Sequence, residues 1–392
     1  MDRTMEKSLE FEDIRPFYDE EFQEKMKSLV KEDKFEHAVK YVLHDVDYNL
    51  FSQKLLSLKT KRDFQLTVMV PFLEHLAKTT SSGVDGGGFE NISHSGSYVF
   101  MSNHRDIVLD ASFLNLLLIK KGFESSEVAI GDNLLIFDWI SDLVRLNKSF
   151  IVKRDVGKRK TLEAACQLSA YIHYTIREKK QSLWIAQREG RAKDSNDRTQ
   201  ESLLKMLGLA GDRDLLSNLK ELNIIPVTIS YEYDPCDYLK AKEFLLKRDN
   251  PEYKKTQEDD LHSMEIGLLG YKGHIHFELS PCINKSLESI CPNDNKPEIL
   301  EAAIKVMDQS IHSNYRIYPG NYVAYDLLHE GNLFANKYTR EDHETFVTYI
   351  NNQLAKITDV PNRDEEFLRK MMLTMYSNPL KNKRTALETQ SK

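Results

Sequence analysis

Tyr98-Val99-Phe100-Met101-Ser102-Asn103-His104-Arg105-Asp106-Ile107-Val108-Leu109-Asp110 reads as a strand, a polar turn and the first residues of a helix. The run at 98–101 is apolar and rich in aromatic and β-branched side chains, the signature of a buried strand. The turn carries His104, with Asp106 and then Asp110 following, and 111–119 is a nearly unbroken apolar helix. A base delivered to a strand end beside a carboxylate is how a protein site takes a proton from a hydroxyl. Imidazole titrates near neutral pH, and a carboxylate fixes its tautomer and stabilises its protonated form.

Working outward, the strand signature recurs at 128–131, 150–154, 182–186, 224–230 and 274–279. Helical patterns separate most of these runs. Between 160 and 178, Leu162, Ala165, Leu168, Ile172 and Ile176 keep one apolar face. The alternation predicts an α/β fold, a mixed central sheet flanked by helices, with helical N-terminal and C-terminal additions. The boundaries read as a helical region at 1–80, an α/β domain at 81–295, a helical region at 296–377 and a frayed polar tail at 378–392. Residues 79–88 contain three consecutive glycines in a polar run, which predicts a loop between subdomains. Pro226 inside an apolar run predicts an edge, a bulge or a strand start at that residue.

Composition narrows the function class. The 392 residues are 41% hydrophobic and 29% charged, which describes a soluble globular chain. With 54 basic and 61 acidic residues the net charge is −7, so no general nucleic-acid footprint is expected. Cys166, Cys236, Cys282 and Cys291 form no CxxC pair and have no histidine partners at zinc spacing. Reduced thiols in a cytoplasmic protein are expected, with neither a disulfide framework nor a structural metal. The opening Met1-Asp2-Arg3-Thr4-Met5-Glu6-Lys7 lacks the apolar core of a signal peptide, and no run has the length of a membrane span. A chain of this kind that acts on lipid works from the membrane surface, here peripherally on the inner face.

Two further stretches carry chemistry. At 184–194 an apolar strand ends in Arg188, Glu189, Gly190, Arg191 and Lys193. Glycine lets backbone approach a ligand, and arginine presents a fork suited to phosphate. At 150–154 a strand ends in Lys153 and Arg154, again at a sheet end where ligands gather.

Taken in order over about 95–232, these blocks resemble the glycerolipid acyltransferase family, which acylates glycerol phosphate and lysophosphatidate. Asn103-His104 with its acids, the 150–154 strand, Glu189-Gly190-Arg191 and Ile225-Pro226-Val227 stand where that family carries its N-H-x4-D block, its arginine-ended strand, its E-G-[TS]-R-like turn and its proline-containing strand. Two departures stand out. Leu109 occupies the family's acid position, so Asp110 leaves five intervening residues. Asp110 is preferred as the acid because it directly precedes the apolar helix, with Asp106 the alternative. The third block lacks a residue before Arg191, so Arg188 or Lys193 shares its duty.

The resemblance implies acyl transfer from a thioester, on acyl carrier protein or coenzyme A, to a hydroxyl of a glycerol-phosphate-type acceptor. It implies no cofactor and no metal. His104 with Asp110 or Asp106 would be catalytic. Asn103, Arg105, Lys153, Arg154, Arg188, Glu189, Gly190, Arg191 and Lys193 would bind substrate. Two basic-plus-apolar segments, 55–73 and 367–384, are the candidates for an acyl channel or a membrane face. Three other chemistries share parts of the pattern. An amine-directed acyltransferase would carry the same histidine block. A metal-dependent phosphohydrolase would use the His104/Asp106 and His274/His276 pairs. An inactive acyl-binding relative would follow from a misplaced acid.

Overall fold

The computed structural model describes residues 10–43, 46–154, 157–211, 213–290 and 295–390; Cys291 and residues 1–7 lie outside them. Its described strands form one sheet in the order β1-β7-β6-β2-β5-β3-β4. They are β1 (Gly83–Gly87), β2 (Val99–Ser102), β3 (Glu127–Gly131), β4 (Ser149–Val152), β5 (Leu183–Ala186), β6 (Ile224–Tyr231) and β7 (His274–Leu279). β6, β2, β5, β3 and β4 run parallel, whereas β7 is antiparallel to β6 and carries β1 alongside it. The fold is therefore α/β with a mixed sheet. The five parallel strands deliver their C-terminal ends to one edge, where open α/β sheets bind ligands.

Side-chain alternation divides the core into two layers. Phe100, Trp184 and Ile225 join the layer on the front face, against the helix Leu109–Lys120. Val99, Met101, Ile185 and Ile224 join the layer on the back face, against the helices Gly157–Arg177 and Lys296–Ser313. Helix Leu109–Lys120 is buried nearly all round. Its large apolar side chains Phe113, Leu114, Leu117 and Leu118 each contribute about 1.5–3 kcal/mol, enough to offset the several kcal/mol that enclosing the Asp110 carboxylate costs.

Three expectations need correction. The glycine-rich stretch is not a free loop, because its residues 83–87 form β1, paired in register from Gly83↔His274 to Gly87↔Glu278. The glycines permit close approach: a Cβ on Gly88, where φ is +74°, would lie 1.9 Å from the Leu279 carbonyl oxygen. Pro226 lies within a strand paired on both sides, not at an edge. Its carbonyl accepts from Ser280 N at 2.8 Å, one residue past the end of β7. The N–H that proline lacks would face that same place, one residue outside the β6–β7 register, so the paired residues Val227–Tyr231 keep their ladder. Finally, the tail is helical. Helix Glu365–Gln390 runs through 378–390 and buries Leu380 and Ala386.

The N-terminal helices build a small core of their own, in which Phe22, Phe35 and Phe64 meet Leu146. The chain from 61 to 80 is helical, with a π-helical turn at Gln65–Met69 and Pro71 just after it.

Candidate active site

The turn after β2 is pinned before it reaches the histidine. Asn103 is fully buried; its Nδ2 donates to Ile229 O at 2.9 Å and its Oδ1 accepts from Ile229 N at 2.8 Å. It holds the turn to β6 as a strand residue would. His104 follows, with Nδ1 2.8 Å from Asp110 Oδ2. The same oxygen accepts from the backbone N–H groups of Arg105 at 2.6 Å and Asp106 at 3.1 Å. Asp110 is the second residue of its helix, so its charge also meets the positive end of the helix dipole. A carboxylate held this way keeps the imidazole proton on Nδ1 and leaves Nε2 as an acceptor. Nε2 has no hydrogen-bond partner among the described residues, and His104 forms part of a cavity wall. The ring edge packs on Trp184, with centroids 5.7 Å apart.

Asp106 has a different task. Its Oδ1 accepts from Val108 N at 2.8 Å and Leu109 N at 2.7 Å, which turns the chain into the helix and absorbs the extra residue. Burial, reinforced by the Asp110 charge, pushes its carboxyl above the usual range. Helix Gln257–Leu269 closes over it. A Cβ on Gly267 would lie 2.1 Å from Asp106 Oδ2.

Arg105 departs from expectation. It is buried and ion-paired with the fully buried Asp197, and its Nη2 lies 3.3 Å from the Tyr315 hydroxyl. Tyr315 also donates to Asp197. The buried Lys240 donates to Arg105 O at 3.3 Å and pairs with Asp234. Arg105 is thus an anchor of the histidine turn. Sequence reading missed these anchors. Asp197 sat in the polar run after Arg191 as the one available signal, whereas Lys240 and Tyr315 carry none, because they meet the turn only through tertiary packing.

The basic blocks divide in the same way. Arg154, Arg188, Glu189 and Gly190 line the cavity with His104. Arg154 Nη1 lies 3.7 Å from Glu189 Oε1, and Arg188 has no ion-pair or hydrogen-bond partner among the described residues. Lys153 also reaches the wall but is engaged by Asp13 and by Gln167. Arg191 turns beneath the histidine turn toward Cys236 and Asp106, with its Nη1 buried and unpartnered. Lys193 is ion-paired at 2.6 Å with the buried Glu243. Asn103, Arg105 and Lys193, expected to meet substrate, are therefore committed elsewhere, because burial requires polar groups to find protein partners.

The cavity measures about 820 Å³ and its walls are mainly apolar. Phe64, Val68, Met69, Phe72 and Leu73 from the 55–73 segment line it. The 367–384 segment has a different fate: Leu368, Met372, Leu373 and Tyr376 are buried in the C-terminal core and offer no apolar face to a membrane. No helix among the described residues is long and apolar enough to cross a membrane. No group of three or more His, Cys, Asp or Glu among them is arranged to hold a metal. Cys166, Cys236 and Cys282 are free thiols. Cys236 is buried, which pushes it up to about 12, far from a reactive thiolate.

Residues 84–230 match the family described as Acyltransferase. No curated protein matches the chain. Among solved structures, a 1-acyl-sn-glycerophosphate acyltransferase from Thermotoga maritima is similar at 10% identity and a TM-score of 0.35, over 70% of this chain and 91% of that one.

Proposed function

We propose that the chain, whose residues 84–230 match the acyltransferase family, moves a fatty acyl group from a thioester on coenzyme A or acyl carrier protein to a hydroxyl of glycerol 3-phosphate or 1-acyl-glycerol 3-phosphate, in phospholipid synthesis. The observation that carries this reading is the 2.8 Å contact between His104 Nδ1 and Asp110 Oδ2, made at the wall of an apolar cavity that also holds Arg154 and Arg188.

His104 Nε2 takes the proton of the acceptor hydroxyl as its oxygen attacks the thioester carbonyl carbon. The tetrahedral intermediate collapses, the carbon–sulfur bond breaks, and the imidazolium returns the proton to the leaving thiolate. Asp110 keeps the ring oriented and stabilises its charge in between. Arg154 and Arg188 bind the acceptor phosphate, since guanidinium forks match its oxygens. Glu189 accepts from a glycerol hydroxyl or positions Arg154. The apolar walls take the acyl chain. Phe137 and Leu261 are partly exposed at the cavity, which suits a protein working on lipid at the inner face of a membrane.

The test is acceptor-dependent release of free thiol from palmitoyl-coenzyme A and from palmitoyl-acyl carrier protein, with the lipid product identified by mass. Release that requires a glycerol phosphate and yields its ester is the expected result. Thioester that is not consumed with either acceptor contradicts the reading.

A further inference from the structure

Strand alternation makes the cavity's path informative. Successive side chains of a strand point to opposite sheet faces. In β3, Val128 packs with the front layer and Ala129 with the back layer, yet Val128, Ala129, Ile130 and Gly131 all line the one cavity. β5 repeats the pattern: Trp184 and Ala186 belong to the front layer, Ile185 to the back, and all three line it. The cavity therefore crosses the plane of the sheet over the C-terminal ends of β3 and β5. Its front lobe lies beside His104 and the N-terminal helices. Its back lobe lies among Leu168, Leu203 and Met206, which belong to the back-face core.

The crest between the lobes is polar. Arg154, Arg188 and Glu189 stand on it. Gly131 seats Arg154 there, since a Cβ at that position would lie 2.6 Å from Arg154 Nε and 2.5 Å from Asn133 Oδ1. A phosphate-bearing glycerol with an acyl chain on each sheet face would set its charge beside Arg154 and Arg188 and an apolar tail against each wall.

We infer that the back lobe is a second acyl-chain subsite, which holds the acceptor's own chain on the sheet face opposite the chain being transferred. The inference rests on the acyltransferase reading and goes beyond it. It assigns Leu168, Leu203 and Met206 to acceptor selectivity and makes the preferred acceptor a monoacyl glycerol phosphate. Burial of each further pair of methylenes in such a lobe tightens binding by roughly tenfold until the lobe is full.

The experiment measures KM and kcat for 1-acyl-glycerol 3-phosphates of rising chain length, below their micellar concentrations, and for glycerol 3-phosphate, with one acyl-coenzyme A donor. Wild type, Leu203→Trp, Leu203→Met and Leu203→Ala are compared. The expected result is an acceptor KM that falls with chain length in wild type. Leu203→Trp raises the long-chain acceptor KM at least tenfold while kcat and donor KM stay within about twofold, and Leu203→Met restores it. If the tryptophan variant fails to fold, Leu203→Ala serves alone, and it shifts the optimum to a longer acceptor chain. A rise in donor KM, an acceptor KM indifferent to length, or a preference for glycerol 3-phosphate overturns the second subsite and leaves the acyltransferase reading standing. Thioester left unconsumed with every acceptor removes both.

Discussion

His104 meets Asp110 at the end of β2, and His276 meets Asp85 where β7 pairs with β1 at the far edge of the same sheet. The local chemistry is similar, an imidazole Nδ1 against a carboxylate, at 2.8 Å in the first pair and 2.5 Å in the second. The surroundings differ. Asp110 is buried, fixed by two backbone N–H groups, and leaves His104 Nε2 facing a cavity. Asp85 is half exposed, and both nitrogens of its neighbours are taken: His276 Nε2 lies 3.1 Å from Glu278, and His274 bonds Tyr318 and Asp85. Burial alone would raise Asp85; the two histidines and Arg316 outweigh it and hold its carboxyl below the usual range. A histidine–acid pair becomes a base only where one ring nitrogen stays free and opens on a space that a substrate fills.

Exchanging the acids of the first pair sharpens this contrast most. Asp110→Asn removes the charge that fixes the imidazole and lowers kcat by roughly 10²–10⁴-fold, the range of a lost general base. Asp106→Asn keeps an acceptor for Val108 N and Leu109 N, so kcat stays within severalfold and thermal unfolding shifts little. Steady-state kinetics and melting curves on the two variants check this. Equal losses would mean that Asp106 shares the acid's role.

The anchors behind each pair come next. Asp197→Asn leaves Arg105 buried without its counter-ion and costs about 3–5 kcal/mol, read as a loss in denaturant midpoint. Arg316→Gln breaks an exposed pair with Asp85 and costs about 0–1 kcal/mol.

The inner side of the comparison also carries a pH dependence. Asp237 is fully buried among Tyr349, Tyr376 and Gln353, and burial together with nearby Asp234 pushes it up to about 7. Because the folded value lies above the ordinary one near 4, this group's stabilisation is full below about pH 4 and is lost as pH rises through about 7. Asp85 has the opposite sign: its contribution is present above the ordinary carboxylate range and is lost on acidification. Melting temperature followed from pH 4 to pH 8 falls less steeply in Asp237→Asn than in wild type; identical slopes contradict the assignment. The smallest effect belongs to His276→Ala, which changes kcat by less than about twofold under saturating substrate.

Much of this could be read from residue order. Strands β2 to β7 were visible because aromatic and β-branched runs mark buried strands wherever they occur. His104, Arg154, Arg188 and Glu189 were visible because each follows such a run, and parallel strands bring their C-terminal ends together. β1 was not visible, since its pairing rests on glycines that permit close approach to β7 and carry no apolar pattern. The choice between Asp106 and Asp110 turned on which carboxylate caps the helix, a matter of backbone geometry in a turn. Arg105 misled for a related reason: an arginine beside a candidate base invites a phosphate, and only tertiary packing brings Asp197 and Tyr315 to claim it. The back lobe depends on which strands line a common space, which no local spacing encodes.

His104 as the general base is tested by the acceptor-dependent rate of thiol release by His104→Ala beside wild type, at equal melting temperature. The expected loss is at least 10²-fold, with donor and acceptor KM nearly unchanged, because a general base acts in the transition state and not in ground-state binding. A variant that keeps near-wild-type kcat would contradict it.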